Sequence, residues 1–172
     1  FFPPLEADIV IAGVEYPEGT PVSLTKSGLE QVEKSAYKLK DSLEVLYPDN
    51  KVFINMVSTA GDQPIKTQSA RGPGNLDASF FGSHLAECVI ELAPGEERSI
   101  STIAISRIWR ELTGPIPGVK QVTFDSDLFT TGAPIEIQLS SVNRDDLKDV
   151  TTILKDKLQT YAGVFDIKDS FS

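Results

Sequence analysis

The 172-residue chain carries one cysteine, one methionine, one tryptophan and one histidine, and each scarcity removes a class of chemistry. A lone Cys88 closes no internal disulfide, so this is not a miniprotein built on bridges, and the count is silent on redox compartment. Met56 is the only thioether beside that thiol. Both fall in strand-like runs, where a small apolar core role suits them better than soft-metal ligation. His84 stands at the edge of a strand with no nucleophile-elbow motif near it, which leaves a Ser-His-Asp triad without support and reads as a surface or loop-anchoring residue. Basic side chains are also few. Sixteen against 25 acidic ones give a net charge of -9 and a pI near 4.6, which repels phosphate backbones and anionic lipid, so no nucleic-acid partner is expected. No run approaches the roughly 20 apolar residues of a transmembrane helix, and the first residues lack the n-region and cleavage site of a signal peptide.

What is present is globular. Hydrophobic residues at 40% and charged residues at 24% match folded domains and exclude wholesale disorder or collagen-like repeats. The length suits one ordinary domain or two small ones. Nothing in it spells catalysis. Asp125-Ser-Asp127 lacks the further ligands and glycine of a calcium loop, and Asp145-Asp146 is explained by helix capping. Gly72-Pro73-Gly74 has no following Lys-Ser/Thr and does not open a helix. The strands lack the basic-aromatic pattern of RNA-binding sheets. The expectation is a non-enzyme with no cofactor and no metal.

Asp8 to Tyr16 is β-branched and aromatic and closes at Pro17-Glu18-Gly19, which predicts a strand. Thr20-Pro21 then offers a cap, and Leu29, Val32, Ala36, Leu39, Leu43 and Leu46 recur at three- and four-residue steps, the mark of a long helix. Lys51–Val57 and Leu85–Leu92 read as further strands. The run between them, Ser58 to Ser83, holds Gly61, Pro64, Gly72, Pro73, Gly74 and Gly82 and ends in Phe80-Phe81. It predicts a long irregular loop, a type that usually carries function. Ser99 or Ser101 can cap a second helix with the stripe Ile100, Ile103, Ala104, Ile108 and Leu112, flanked by Trp109 and ended by Gly114-Pro115. Val119–Asp125 is a fourth strand. The order β-α-β-β-α-β predicts an α+β, ferredoxin-like split βαβ domain over residues 1–130.

Residues 133–172 start the pattern again. Pro134–Ser140 alternates as a strand. Asn143 caps a helix with the stripe Leu147, Val150, Leu154, Leu158 and Tyr161, and after Gly163 the run Val164–Phe171 returns as a strand. This is an incomplete βαβ, half of a unit. Its open edge predicts self-association, domain swapping or completion by another segment. The start without Met at Phe1-Phe2-Pro3-Pro4 and the stop within a strand-like run at Phe171-Ser172 predict a piece of a longer protein.

The order and wording of these segments resemble the second large periplasmic loop of resistance-nodulation-division (RND) efflux transporters of the acriflavine-resistance type. The likeness rests on Phe2-Pro3 with Glu6 and Asp8 opening a strand, on Tyr16-Pro17-Glu18-Gly19-Thr20, and on Trp109-Arg110-Glu111 to Gly114-Pro-Ile-Pro-Gly118. It continues through Gly132-Ala-Pro-Ile-Glu-Ile-Gln-Leu139 and Ala162-Gly-Val-Phe-Asp-Ile-Lys-Asp-Ser170, so that it covers nearly the whole chain. The resemblance implies that 1–130 is the first C-terminal porter subdomain and 133–172 the first half of the second. It implies a periplasmic portion of an inner-membrane, proton-driven homotrimer that works with a periplasmic adaptor and an outer-membrane channel. The cargo it implies is a small lipophilic or amphiphilic molecule.

The same resemblance supplies site residues. Ile11 and Gly13 on the first strand and Thr123 and Asp125 on the fourth are implied to line the substrate cleft. Gly61, Gly72, Gly74, Phe80 and Phe81 belong to the implied gating loop, where the two phenylalanines either contact cargo or anchor the loop to the core. The best-known multidrug pumps are richer in aromatic and methionine residues on the corresponding surfaces. The alternative function is a free-standing ferredoxin-like binding or regulatory module that dimerises through its incomplete βαβ.

Overall fold

The computed structural model describes residues 7–70, 79–126 and 137–161, together with Val164, Ile167 and Asp169. Two compact units divide the chain, Phe1–Thr130 and Thr131–Ser172. In the first, β1 (Ile9–Glu15), α1 (Val22–Leu46), β2 (Phe53–Asp62), α2 (Pro64–Ala70), β3 (Phe81–Leu92), α3 (Thr102–Thr113) and β4 (Gln121–Asp125) follow in order. The strands form one sheet in the order β2-β3-β1-β4, every neighbouring pair antiparallel. This is the α+β, ferredoxin-like arrangement that the element order predicts, with α2 added between β2 and β3.

Alternation along the strands decides which face is dry. Val10, Ala12 and Val14 of β1 and Ala86, Cys88 and Ile90 of β3 are fully buried and share one core with Leu29, Val32, Ala36, Leu39 and Leu43 of α1, as the period of two meeting a period of 3.6 requires. Where α1 crosses Tyr16 it carries Gly28. A Cβ there would lie 2.5 Å from the Tyr16 hydroxyl oxygen, so only glycine lets the helix approach this closely. The expected cap at Thr20 is replaced: Pro21 is the cap residue and makes no side-chain bond. The Thr20 hydroxyl is spent on the carbonyl of Pro17 at 2.6 Å, inside the preceding turn.

In α3 the buried face is rotated from the expected stripe. Ile105 and Trp109 are at its centre with Thr102, Ser106 and Thr113, while Ile103 is 68% exposed; Ile100, Ile108 and Leu112 pack on the core only in part. Trp109 decides this. Its ring meets Phe124 edge-on at 5.2 Å, its Nε1 donates to Ser35 Oγ at 3.0 Å, and Ser35 and Thr113 share a hydroxyl bond of 2.7 Å. A large ring whose one polar atom finds a buried partner outweighs a run of isoleucines. Ser101 caps the helix by accepting from the Ala104 N–H, and Gly114 ends it at φ 62°, as the sequence predicts. Just before α3, the buried Arg98 guanidinium donates to Asp8 Oδ1 at 3.0 Å and to Thr102 Oγ1 at 3.1 Å, joining the approach to β1 to the first turn of α3.

The expected irregular run 58–83 is more ordered than its glycines suggest. Residues through Asp62 continue β2, 64–70 form α2, and β3 begins at Phe81. The ladder supplies what propensity lacks: Ser58 pairs with Cys88 and Ala60 with Ala86, and the register slips at Gly61, which adopts φ 91° as a bulge residue can.

The second unit contains α4 (Arg144–Gln159), capped by Asn143 Oδ1, which accepts from the Asp145 N–H at 3.0 Å. No α4 residue is buried; Leu147, Leu154 and Leu158 are half-buried, and Val150 and Tyr161 are exposed. The expected strand 134–140 is not formed at 137–140; 134–136 and most of the expected strand 164–171 lie outside the described residues.

Candidate functional site

The sheet has a second face, turned away from the helical core. β1 places Ile9, Ile11 and Gly13 on it, β4 places Thr123 and Asp125, and β3 places Leu85, Glu87, Val89 and Glu91. The register sets Ile11 beside Asp125 and Gly13 beside Thr123, so the four cleft residues implied by resemblance form one patch. Across β1, Ile11 meets Val89 and Gly13 meets Glu87. Ile11, Gly13 and Thr123 are buried and Asp125 is exposed. The glycine is a spatial requirement, because a Cβ at position 13 would stand 2.9 Å from Thr123 Oγ1 and 3.5 Å from Gln63 Nε2.

The cover over this patch comes from the start of α2. Gln63 is fully buried and its Nε2 donates to the carbonyls of Val14 at 3.1 Å and Ala86 at 3.0 Å; its Oε1 finds no partner among the described residues. The Gln63 N–H donates to the Phe80 carbonyl, and the Phe80 N–H donates to Thr67 Oγ1. Lys66 Nζ stands 4.7 Å over the Phe80 ring. Phe80 thus ties α2 to the start of β3, while Phe81 is 74% exposed. Gly61 is the bulge already described; Gly72 and Gly74 lie outside the described residues.

Beside α2 runs a groove of about 340 Å³ whose lining includes Ile9, Asn55, Val57, Ile65, Val89 and Glu91. Glu87 also lines it, with Oε1 accepting from the Ile65 N–H at 2.9 Å and Oε2 from the Lys66 N–H at 3.1 Å. Burial pushes the Glu87 carboxyl above the ordinary carboxylate range; the two N–H bonds pull it back in part, Asp62 adds to the rise and Lys66 opposes it. Cys88 points the other way, into the core. Burial raises its thiol to about 12 against a weak bond from the Ser58 hydroxyl at 3.7 Å, which keeps it protonated and away from this face. Met56 is partly buried against the same core and also lines the groove. Among the described residues no three His, Cys, Asp or Glu side chains gather as a metal would need.

Gln63 and Glu87 are the residues that sequence reasoning missed. The available signal was Pro64 followed by six residues without glycine, a proline suited to the first position of a helix. Glu87 lay in plain alternation with Leu85 and Val89, and only the helix folded over it distinguishes it from a solvated strand residue.

The class is therefore an α+β, ferredoxin-like unit with a partly covered sheet face. No family model matches the chain, and no curated protein matches it. Among solved structures it is similar to the X-ray crystal structure of a heavy metal efflux pump in crystal form II, with a TM-score of 0.50 and 16% sequence identity. The match covers 98% of this chain and 17% of that chain. The chain spans about a sixth of the pump's length, and at this identity the likeness is one of fold.

Proposed function

We propose that the chain is the periplasmic porter portion of an RND efflux transporter, which handles small lipophilic or amphiphilic cargo and catalyses no reaction. The observation that carries this reading is the sheet's second face, on which Ile11, Gly13, Thr123 and Asp125 stand in register and beside them a separate apolar groove is lined by Ile9, Val57, Ile65 and Val89. Apolar concavities with a few placed polar groups suit amphiphilic guests. Two likenesses agree with it, the RND wording of the sequence and the fold shared with part of an efflux pump. A soft-metal cargo is less well served, since the single thiol is buried in the core and protonated. None of the described helices is long and apolar enough to cross a membrane, so the proton-carrying groups, the trimer contacts and the adaptor and channel partners belong to the rest of a parent transporter in this reading.

The test is made on the parent reading frame. It is expected to encode membrane-spanning segments on both sides of these residues, and its product in an efflux-deficient strain is expected to lower dye accumulation. Ile11→Asp, which puts a charge into the patch, is expected to abolish that export at unchanged expression. A soluble start before Phe1 with a stop after Ser172 would sink the proposal. That result would favour the dimeric binding module, a reading supported by the absence of any buried residue in α4.

A further inference from the structure

The short helix α2 is capped from another element. Its first residue, Pro64, has no N–H, and the Thr67 N–H is satisfied by the Gln63 carbonyl at 2.9 Å. This leaves Ile65 and Lys66, whose N–H groups have no acceptor within the helix. A cap side chain ordinarily takes such groups. Gln63 holds the cap position, yet its amide is committed to the carbonyls of Val14 and Ala86. The acceptors come instead from β3, one carboxylate oxygen of Glu87 to each N–H. We propose that Glu87 is the positioning residue of α2, and that the helix docks on the sheet or lifts from it according to the protonation of this carboxyl group.

Docked, Glu87 is 2% exposed; with α2 lifted, water reaches it. Burial penalises the ionised form, and the net effect of dehydration, the two N–H bonds, Asp62 at the end of β2 and Lys66 on α2 is a carboxyl raised above its ordinary 4.5. Opposite on β1 stands Gly13, which carries no charge. The other charges on this face are Glu91 on β3, Asp125 on β4 beside Ile11, and Glu15 on β1, the last paired with Lys120 at 3.1 Å. Linkage then fixes the direction. The docked form holds its proton more tightly than the lifted form, so docking is favoured in acid and weakens as pH rises from 4.5 through the docked value. Because Pro64 and Ile65 line the groove, lifting α2 widens it. The device goes beyond the transport reading, since it operates with any cargo or with none.

Amide hydrogen exchange followed by NMR on the whole chain tests it. After correction for intrinsic exchange chemistry, opening at Ile65 and Lys66 is expected to increase as pH rises from 4.5 and then level off, while Ile105 and Trp109 in α3 do not follow. Glu87→Gln and Glu87→Ala are each expected to make the profile flat, with opening at both amides raised about tenfold above acid wild type in Glu87→Ala, which leaves both N–H groups without an acceptor. A flat wild-type profile, or a Glu87→Gln profile that still depends on pH, would overturn the proposal. Should either variant fail to fold, the wild-type Glu87 carboxyl carbon is titrated directly. A midpoint above 4.5 shared with the Ile65 and Lys66 amide shifts supports the latch; a lower midpoint, or amides that ignore it, refutes it.

Discussion

Gly28→Ala should destabilise this protein, although the same exchange in an ordinary exposed helix interior stabilises by about 1 kcal/mol. The reason is the approach of α1 to Tyr16. An ideal Cβ at position 28 lies 2.5 Å from the hydroxyl oxygen, 3.0 Å from Cε2 and 3.1 Å from Cζ. Tyr16 is itself buried in the core, so its ring has nowhere to swing and the helix must lift. Overpacking of this kind costs about 1–3 kcal/mol, which outweighs the propensity gain over most of that range and leaves a net loss near 1 kcal/mol. A loss of that size lowers the melting temperature by about 5 °C in a domain this small. Tyr16→Leu removes the obstructing ring, at the cost of a cavity of its own. In that background Gly28→Ala should turn neutral or stabilising, for a coupling of about 2 kcal/mol between the two sites. Urea melts followed by circular dichroism on the four proteins measure the cycle. If Gly28→Ala raises stability in the wild-type background, or costs the same in both, the close-packing argument is wrong.

Further outcomes follow from two buried groups, Cys88 and Arg98. Cys88 should resist thiol reagents in the folded chain and react at once in denaturant; rapid labelling of native protein would refute its burial. Its thiol, raised to about 12 from an ordinary 9.0 by burial, stays protonated when folded while the unfolded thiol ionises. Stability should therefore fall as pH climbs above 9.0 toward about 12, and Cys88→Ala should remove that part of the alkaline slope. Arg98→Met keeps the aliphatic stem but loses the bonds to Asp8 and Thr102, with an expected cost of about 2 kcal/mol for hydrogen bonds to a charged group. Equal stability of Arg98→Met and wild type by denaturant melt would show that these bonds contribute nothing net.

The parts legible in the sequence are those where one periodicity dominates. The β1 alternation, the leucine and alanine ladder of α1, the Ser101 cap and the Gly114 stop all stand where their local chemistry puts them. The misplacements come where a distant partner outvotes the local pattern. Ile103 belongs to a better isoleucine stripe than Trp109 does, but Ser35 on α1 and Phe124 on β4 hold the indole inward. Residues 58–62 look like loop until Cys88, Glu87 and Ala86 pair with them. That Ile11, Gly13, Thr123 and Asp125 share one patch was legible because a strand register brings them together, whereas the cover over it was not. Gln63 and Glu87 acquire their roles only from the placement of α2, and no local spacing encodes that a strand carboxylate will cap a helix some twenty residues earlier in the chain.

The solitary tryptophan gives the molecule a built-in optical address. Trp109 is wholly buried between α1, α3 and β4 and bonded to Ser35, so its fluorescence speaks for the ferredoxin-like unit alone. α4 contains no tryptophan and leaves that signal silent while contributing fully to helical circular dichroism. The two spectroscopies therefore watch different sets of residues. Coincident melts would mean that α4 loses its helix together with the first unit, and separated melts that one chain holds two independently folding pieces.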